Sequence, residues 1–303
     1  MILAPGDEVE RYRVVRVVGQ GGMAVVYEVV HTRLGTCHAL KVLRRASPSL
    51  EARLLSEGRV QASLRHPQVV PVTDVIDVGE TLGLVMDLVR GVSLATLLAQ
   101  ERLGLDAIDG LALDVLSGVG AAHAAGVVHR DLKPSNILVE VDGDRVRAKV
   151  ADFGLVHVLD GSRPEIAGTP SYMAPEQVMG ARVDTRADVF ALGAILYELV
   201  AGTRAFPEGA RPSGRMGSGR APTLPPERVV PLRMKHAVEA ALQVDPSARP
   251  VDAAALRRLW LDGCRPRHAG WPVEQLARVE ALLEEGAADL ARTLTLPPTS
   301  PAR

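Results

Sequence analysis

The chain has 303 residues, 35 basic and 36 acidic, with a formal net charge of -1, a balance that argues against a nucleic-acid coat. Cys37 and Cys264 make neither a disulfide framework nor a zinc pattern and fit a reducing compartment. The N-terminal MILAPGDEVERY has no basic region or long apolar stretch, and the most apolar segment, Val189–Gly202, is short and contains Glu198; a cytoplasmic protein of one large domain or two lobes, with no membrane span and no nucleic-acid partner, is expected.

In chain order, Tyr12–Val18 and Val25–Val30 are β-rich and flank a glycine turn, and Leu40–Leu43 is a third short strand. Pro48 to Leu64 reads as a helix anchored by Leu50, Leu54 and Leu64. Val69–Val78 and Thr81–Val89 read as two strands joined at Gly79. From Ser93 the character changes. Leu111–Ala125 is helical and ends at Gly126. Ile137–Val139 and Ala148–Val150 are short strands around the charged turn Asp142–Arg147. Helices follow at Thr185–Ala201, Leu232–Leu242 and Val251–Leu261. Arg204–Arg228, rich in Gly, Pro, Arg and Ser, reads as a partly disordered surface excursion. A last amphipathic helix is expected from Pro272, with Leu276, Val279, Leu283, Ala287, Leu290 and Leu294 on one stripe. It should dock rather than float.

Two motifs carry chemistry. His129–Asn136 reads HRDLKPSN, and Asp152, sixteen residues past Asn136, opens DFG with Phe153 and Gly154. Together they offer a potential base, Asp131, and hard oxygen ligands, Asn136 and Asp152, of the kind magnesium prefers. Gly19, Gly21 and Gly22 lie between two β-rich runs, where a turn without side chains lets backbone N–H groups approach phosphate oxygens. By itself that turn could equally be a plain hairpin. Lys41 lies in the apolar run HALKVL and could snorkel to solvent. Glu51 and Glu57 are six residues apart on one helix and point about 120° away from each other, so both cannot meet Lys41.

With these motifs in order, the chain resembles the eukaryotic-type (Hanks-type) serine/threonine protein kinases of bacteria, from roughly Tyr12 to Leu261. GQGGMAVVY (Gly19–Tyr27) and APEQ (Ala174–Gln177) are especially similar to bacterial members. The resemblance implies an α+β, two-lobed protein kinase-like fold. A small β-rich N-lobe would span 12–89, a larger, mainly helical C-lobe 90–261, and a C-terminal extension 262–303. It implies ATP in the cleft with Mg²⁺, or Mn²⁺ as an alternative, and transfer of the γ-phosphoryl group to Ser or Thr hydroxyls of protein substrates, with autophosphorylation. A homodimer is left open.

The resemblance also implies roles. Lys41 would contact the α- and β-phosphates and pair with Glu57, which family spacing favours over Glu51. Val26, Ala39, Met86 and Leu138 would enclose adenine, with Asp87 to Val89 as the linker that hydrogen-bonds it. Asp131 would orient the acceptor hydroxyl, Lys133 stabilise the transferring group, and Asn136 and Asp152 hold the metal. His129 would pack beneath the DFG segment, Asp188 fix the catalytic-loop backbone, and Glu176 pair with Arg249. Thr169 would shape the acceptor site, and Arg130 would receive a phosphate, for which Ser162 is the hydroxyl available upstream. Ala24 stands where the family pattern has a third glycine, which leaves a kinase-fold binding protein of little activity as the competing reading.

Overall fold

A computed structural model describes residues 3–22, 24–45, 47–142, 145–153, 170–207, 222–226, 228–264 and 276–282. The first part of the chain builds a six-stranded antiparallel sheet from β1 (Glu8–Val9), β2 (Tyr12–Gln20), β3 (Ala24–His31), β4 (Cys37–Leu43), β5 (Val72–Val78) and β6 (Thr81–Asp87), in the order β1-β2-β3-β4-β6-β5. Alternation explains β3: Val25, Tyr27 and Val29 are buried on one face while Val26 and Glu28 are only half-buried on the other. In β2 the buried residues step from Val14 to Val17, because the pairing with β3 slips between Val14 and Arg16.

Helix α1 (Pro48–Ser63) crosses between β4 and β5. The Ser47 side chain accepts from Leu50 N at its start, and Pro48 occupies the first turn, where no N–H is needed.

The second lobe begins at a small three-stranded sheet, β7 (Gly91–Ser93), β8 (Ile137–Asp142) and β9 (Arg145–Val150). The rest is helical: α2 (Leu94–Gln100), α3 (Leu105–Ala124), α4 (Pro175–Val178), α5 (Thr185–Ala201), α6 (Leu232–Ala241) and α7 (Ala253–Leu261). Helix α5 is apolar nearly all round and is buried accordingly, packed among α3, α6 and α7. Residue 69 bridges to Val150, so the chain that returns from α1 to the sheet is stitched to the second lobe. No helix among the described residues is long and apolar enough to cross a membrane.

Several expected boundaries move. Helix α3 starts at Leu105, not Leu111. The apolar period there is broken by Asp109, yet Asp109 is buried: it accepts from both Arg233 guanidinium nitrogens at 3.1 and 3.0 Å and from Trp260 Nε1 at 2.6 Å. Strands β8 and β9 run further toward their turn than the charges suggest, because Val146 on the hairpin's inner face is buried while Arg145 is exposed. The Arg204–Arg228 stretch is not a surface excursion at its ends. Ala205, Phe206 and Leu224 are buried, and Phe206 stacks on Phe190 at 5.7 Å; residues 208–221 and 227 lie outside the described residues. Of the expected tail helix, residues 276–282 are described. They are helical, with Val279 1 % exposed and Leu276 and Leu282 against the second lobe's core. Arg278 Nε lies 3.3 Å from Glu101 Oε2, just past α2. Leu283, Ala287, Leu290 and Leu294 lie outside the described residues.

Candidate active site

Lys41 points from the middle of β4 to two carboxylates at once. Its Nζ lies 2.7 Å from Glu57 Oε1 on α1 and 2.9 Å from Asp152 Oδ1 at the end of the β9 segment. Glu57 is thus the partner, and Gly58 beside it explains how α1 comes close enough: a Cβ there would meet Leu84 Cδ2 at 2.7 Å. Burial works against the Lys41 ammonium, but the charges of Asp152 and Glu57 outweigh it and raise its pKa. The Asp152 side chain is partly exposed; its desolvation is outweighed by the charge and hydrogen bond of Lys41, and the carboxyl is held below its ordinary value. Burial, reinforced by the charges of Asp152 and Asp131, pushes Glu57 up against the pull of Lys41. Two ammonium groups, Lys41 and Lys133, and three carboxylates therefore share one electrostatic neighbourhood spanning both lobes.

The HRDLKPSN segment forms a closed hydrogen-bond set. Lys133 Nζ donates to Asp131 Oδ2 at 2.7 Å; Asn136 Nδ2 donates to the Asp131 carbonyl at 2.8 Å and to Oδ2 at 3.3 Å. Among the described residues nothing donates to Asn136 Oδ1, and the carbonyl of Asn136 accepts from Ala151 N at 2.9 Å, next to Asp152. Asn136 and Asp152 thus supply two hard oxygens from adjacent backbone. No cluster of three or more His, Cys, Asp or Glu able to hold a metal exists among the described residues. Two protein oxygens fit magnesium, which keeps waters and takes its remaining ligands from phosphate, better than a metal needing a full protein cage.

Beneath this set, His129 is completely buried. Its ring lies 4.7 Å from Phe153, and its Nε2 is 3.1 Å from the Ala151 carbonyl. Because that carbonyl can only accept, Nε2 carries a proton. Asp188, 1 % exposed on α5, accepts from His129 N at 2.7 Å, from Arg130 N at 2.8 Å and from His123 Nε2 at 2.9 Å. Ala253 N donates to His123 Nδ1 at 3.1 Å, so the His123 proton sits on Nε2 and points at Asp188. The clamped backbone is strained: Arg130 has φ 67° and Asp152 has φ 54°, the left-handed region that non-glycine residues rarely adopt. Sequence reasoning missed His123 and the backbone strain at Arg130 and Asp152. A histidine near the end of an alanine-rich helix carries no pattern, and φ leaves no mark on side-chain type here.

The residues expected around adenine fall in one apolar cluster. Ala39 and Met86 are buried in it, and Val26, Leu88, Val89 and Leu138 pack on it half-buried. These come from β3, β4, β6, the linker and β8, so the cluster lines the gap between the lobes. The Asp87 N–H is committed to the Pro71 carbonyl at 3.1 Å, which leaves the rest of the linker backbone to meet a base.

None of Gly19, Gly21 and Gly22 has positive φ. A Cβ at Gly22 would meet nothing within 4 Å, and one at Gly19 or Gly21 would make ordinary contacts. Gly21 N closes the turn on the Ala24 carbonyl at 2.9 Å, so Ala24 is compatible with it. The open space over Gly22 is required by nothing within the described protein.

On the other side of Asp131, a small surface cleft is lined by Asp131, Leu132, Tyr172, Met173 and Gln177, among others. The Tyr172 hydroxyl donates to Glu198, which also faces Arg204 at 3.9 Å. Burial, then this bond, raises the Tyr172 pKa, and burial raises that of Glu198. Glu176 and Arg249 form a buried two-point pair at 2.7 and 3.0 Å, with the Arg249 guanidinium 4.9 Å from the Phe190 ring. Gly154, Ser162 and Thr169 lie outside the described residues.

The family model for the protein kinase domain matches residues 12–261. The chain belongs to that family. It is 35 % identical over 258 residues to the serine/threonine-protein kinase Pkn1 of Myxococcus xanthus, covering 81 % of this chain and 37 % of the relative. It is 36 % identical over 256 residues to PknA of Mycobacterium tuberculosis, covering 79 % and 58 %. Among solved structures, the PknI kinase domain of Mycobacterium tuberculosis superposes with a TM-score of 0.70 at 29 % identity, covering 86 % of this chain and 99 % of that one. The two-lobed kinase fold is therefore that of this chain, which spans between about a third and three-fifths of the length of the curated relatives it matches.

Proposed function

We propose that the chain is an ATP-dependent serine/threonine protein kinase, with residues 12–261 as its catalytic unit, 262–303 as an extension of it, and a cytoplasmic setting where ATP is available. The observation that carries this reading is the Lys41 ammonium, held at 2.7 Å by Glu57 and at 2.9 Å by Asp152, facing the Asp131, Lys133 and Asn136 network across a cleft with an apolar wall. That arrangement suits a nucleotide triphosphate: apolar faces for a base, a fixed cation for phosphates, and open backbone at Gly19–Gly22. The relatives are named serine/threonine-protein kinases.

In this reading Val26, Ala39, Met86 and Leu138 sandwich adenine, with Asp87 and Val89 offering backbone groups at its edge. Lys41 fixes the α- and β-phosphates, and Glu57 keeps Lys41 aimed. Asn136 and Asp152 hold the metal, Mg²⁺ by preference and Mn²⁺ as an alternative. When bound, it neutralises charge on the phosphate oxygens. Asp131 accepts a hydrogen bond from the acceptor hydroxyl and sets it in line with the γ-phosphorus. As the new O–P bond forms and the bond to ADP breaks, the hydroxyl proton passes to the Asp131 carboxylate. Lys133, 2.7 Å from that carboxylate, meets the negative charge of the transferring group.

The test is incubation with magnesium ATP and a generic protein acceptor, with phosphoserine and phosphothreonine identified by mass spectrometry. Transfer that depends on Lys41, shown by its loss in Lys41→Met, supports the reading. Nucleotide binding without transfer would favour the kinase-fold binding protein instead.

A further inference from the structure

The strained residue before Asp131 is held at both ends, and the second hand is Gln177. The Arg130 N–H is gripped by Asp188 at 2.8 Å, and the Arg130 carbonyl accepts from Gln177 Nε2 at 2.8 Å. That carbonyl belongs to the peptide unit that ends at the nitrogen of Asp131, so the Gln177 amide holds the peptide plane from which the Asp131 side chain departs. The other end of the same amide, Gln177 Oε1, accepts from Ala174 N at 3.0 Å, in the chain just before α4. Gln177 is half-buried, and it lines the cleft that Asp131, Tyr172 and Met173 also line. Left-handed φ at Arg130 costs about 1–2 kcal/mol relative to ordinary backbone and persists only where neighbours over-determine it.

We propose that Gln177 is a positioning residue for phosphoryl transfer: one side chain ties the acceptor side of the cleft, through Ala174, to the backbone that aims Asp131. This rests on the kinase reading above. The two bonds are separable by chemistry. A carboxylate at 177 can still accept from Ala174 N but cannot donate to the Arg130 carbonyl and would repel it. A leucine makes neither bond at similar size.

The experiment compares the full chain with Gln177→Glu and Gln177→Leu. It measures kcat and both KM values for transfer from magnesium ATP to a protein acceptor, together with thermal melting. Both variants should lose on the order of tenfold to a hundredfold in kcat, because a small displacement of the reacting groups is enough for that. The KM for ATP should stay within about twofold of the parent. Both should also melt lower, by roughly 2–4 °C, Gln177→Leu through loss of both bonds and Gln177→Glu through a carboxylate set against the unanswered Arg130 carbonyl. Unchanged kcat in Gln177→Glu overturns the proposal even if Gln177→Leu fails to fold, because it shows that the bond to Arg130 does not matter. A kcat loss that merely parallels melting and ATP affinity in both variants overturns it as well, since that is plain destabilisation. A parent chain with no measurable transfer would contradict the kinase reading itself, whereas an active parent with unaffected variants contradicts only the role of Gln177.

Discussion

Replacing Asp188 with Asn tests whether the site is held by a buried carboxylate. Asp188 Oδ2 takes two donors, His129 N and His123 Nε2, and Oδ1 takes the third, Arg130 N. An amide has one acceptor oxygen, so its least costly orientation keeps the oxygen at the two-donor end. The new NH₂ then faces the Arg130 N–H. One buried donor is orphaned, costing about 1–3 kcal/mol, and two charge-assisted bonds become neutral, costing roughly another 1–2 kcal/mol. A loss of about 2–5 kcal/mol converts to a melting temperature lower by roughly 5–15 °C for a domain of this size. The transfer rate, measured well below the new melting point, should fall beyond what stability explains, because Arg130 at φ 67° is then free to relax. Asp188→Ala orphans all three donors, at about 3–9 kcal/mol, comparable with the whole stability of a domain, and should yield little folded protein. Melting within about 2 °C of the parent and an unaltered rate in Asp188→Asn would refute the reasoning.

Glu198→Gln should leave an acceptor for the Tyr172 hydroxyl while removing a carboxyl that burial holds above its ordinary value of 4.5. A raised folded value means stability that is present below pH 4.5 and is lost as pH rises through the folded value. The variant should therefore melt as high as the parent or higher at pH 8, with that advantage shrinking in acid; a variant that is less stable at pH 8 and equal in acid contradicts this sign. Val279→Asp should lower the melting temperature by about 5 °C or more, since Val279 is 1 % exposed against the second lobe and its burial is worth about 1.5–3 kcal/mol before any charge is added. An unchanged melting curve would show that residues 276–282 do not dock in solution. Arg249→Lys should cost on the order of 3 kcal/mol in denaturant unfolding, because a lysine cannot reproduce the two-point pair with Glu176 together with the bonds to the carbonyls of Arg186, Gln243 and Val244; a loss under about 1 kcal/mol would mean that the pair is replaceable.

How much was legible depended on whether a residue advertised its task through type and spacing. Helix α5 was read with the boundaries it has, because an apolar run with an Asp cap and a closing glycine leaves little choice. The choice of Glu57 over Glu51, the Glu176–Arg249 pair and the packing of His129 under Phe153 all follow from motif position, and the structure brings those partners together. Asp109 misled the reading of α3, because a buried acid looks like a surface residue until Arg233 and Trp260 are seen to satisfy it. His123 and Gln177 carry no sequence signal of their contacts with Asp188 and the Arg130 carbonyl, which lie more than 40 positions away. The glycine turn carries no signal for its backbone geometry, and none of its three glycines uses left-handed φ.

The most direct measurement is a single-turnover transfer of labelled γ-phosphate from magnesium ATP to a serine- and threonine-containing protein, run on the parent and on Asp131→Asn with nucleotide affinity measured alongside. The account predicts labelled phosphoserine or phosphothreonine from the parent. In the variant the rate should be lower by about 10²–10⁴ with nucleotide affinity nearly unchanged, because the carboxylate acts on the acceptor hydroxyl and not on the nucleotide. A parent that binds ATP yet transfers nothing, or an Asp131→Asn variant that transfers as fast as the parent, would contradict it.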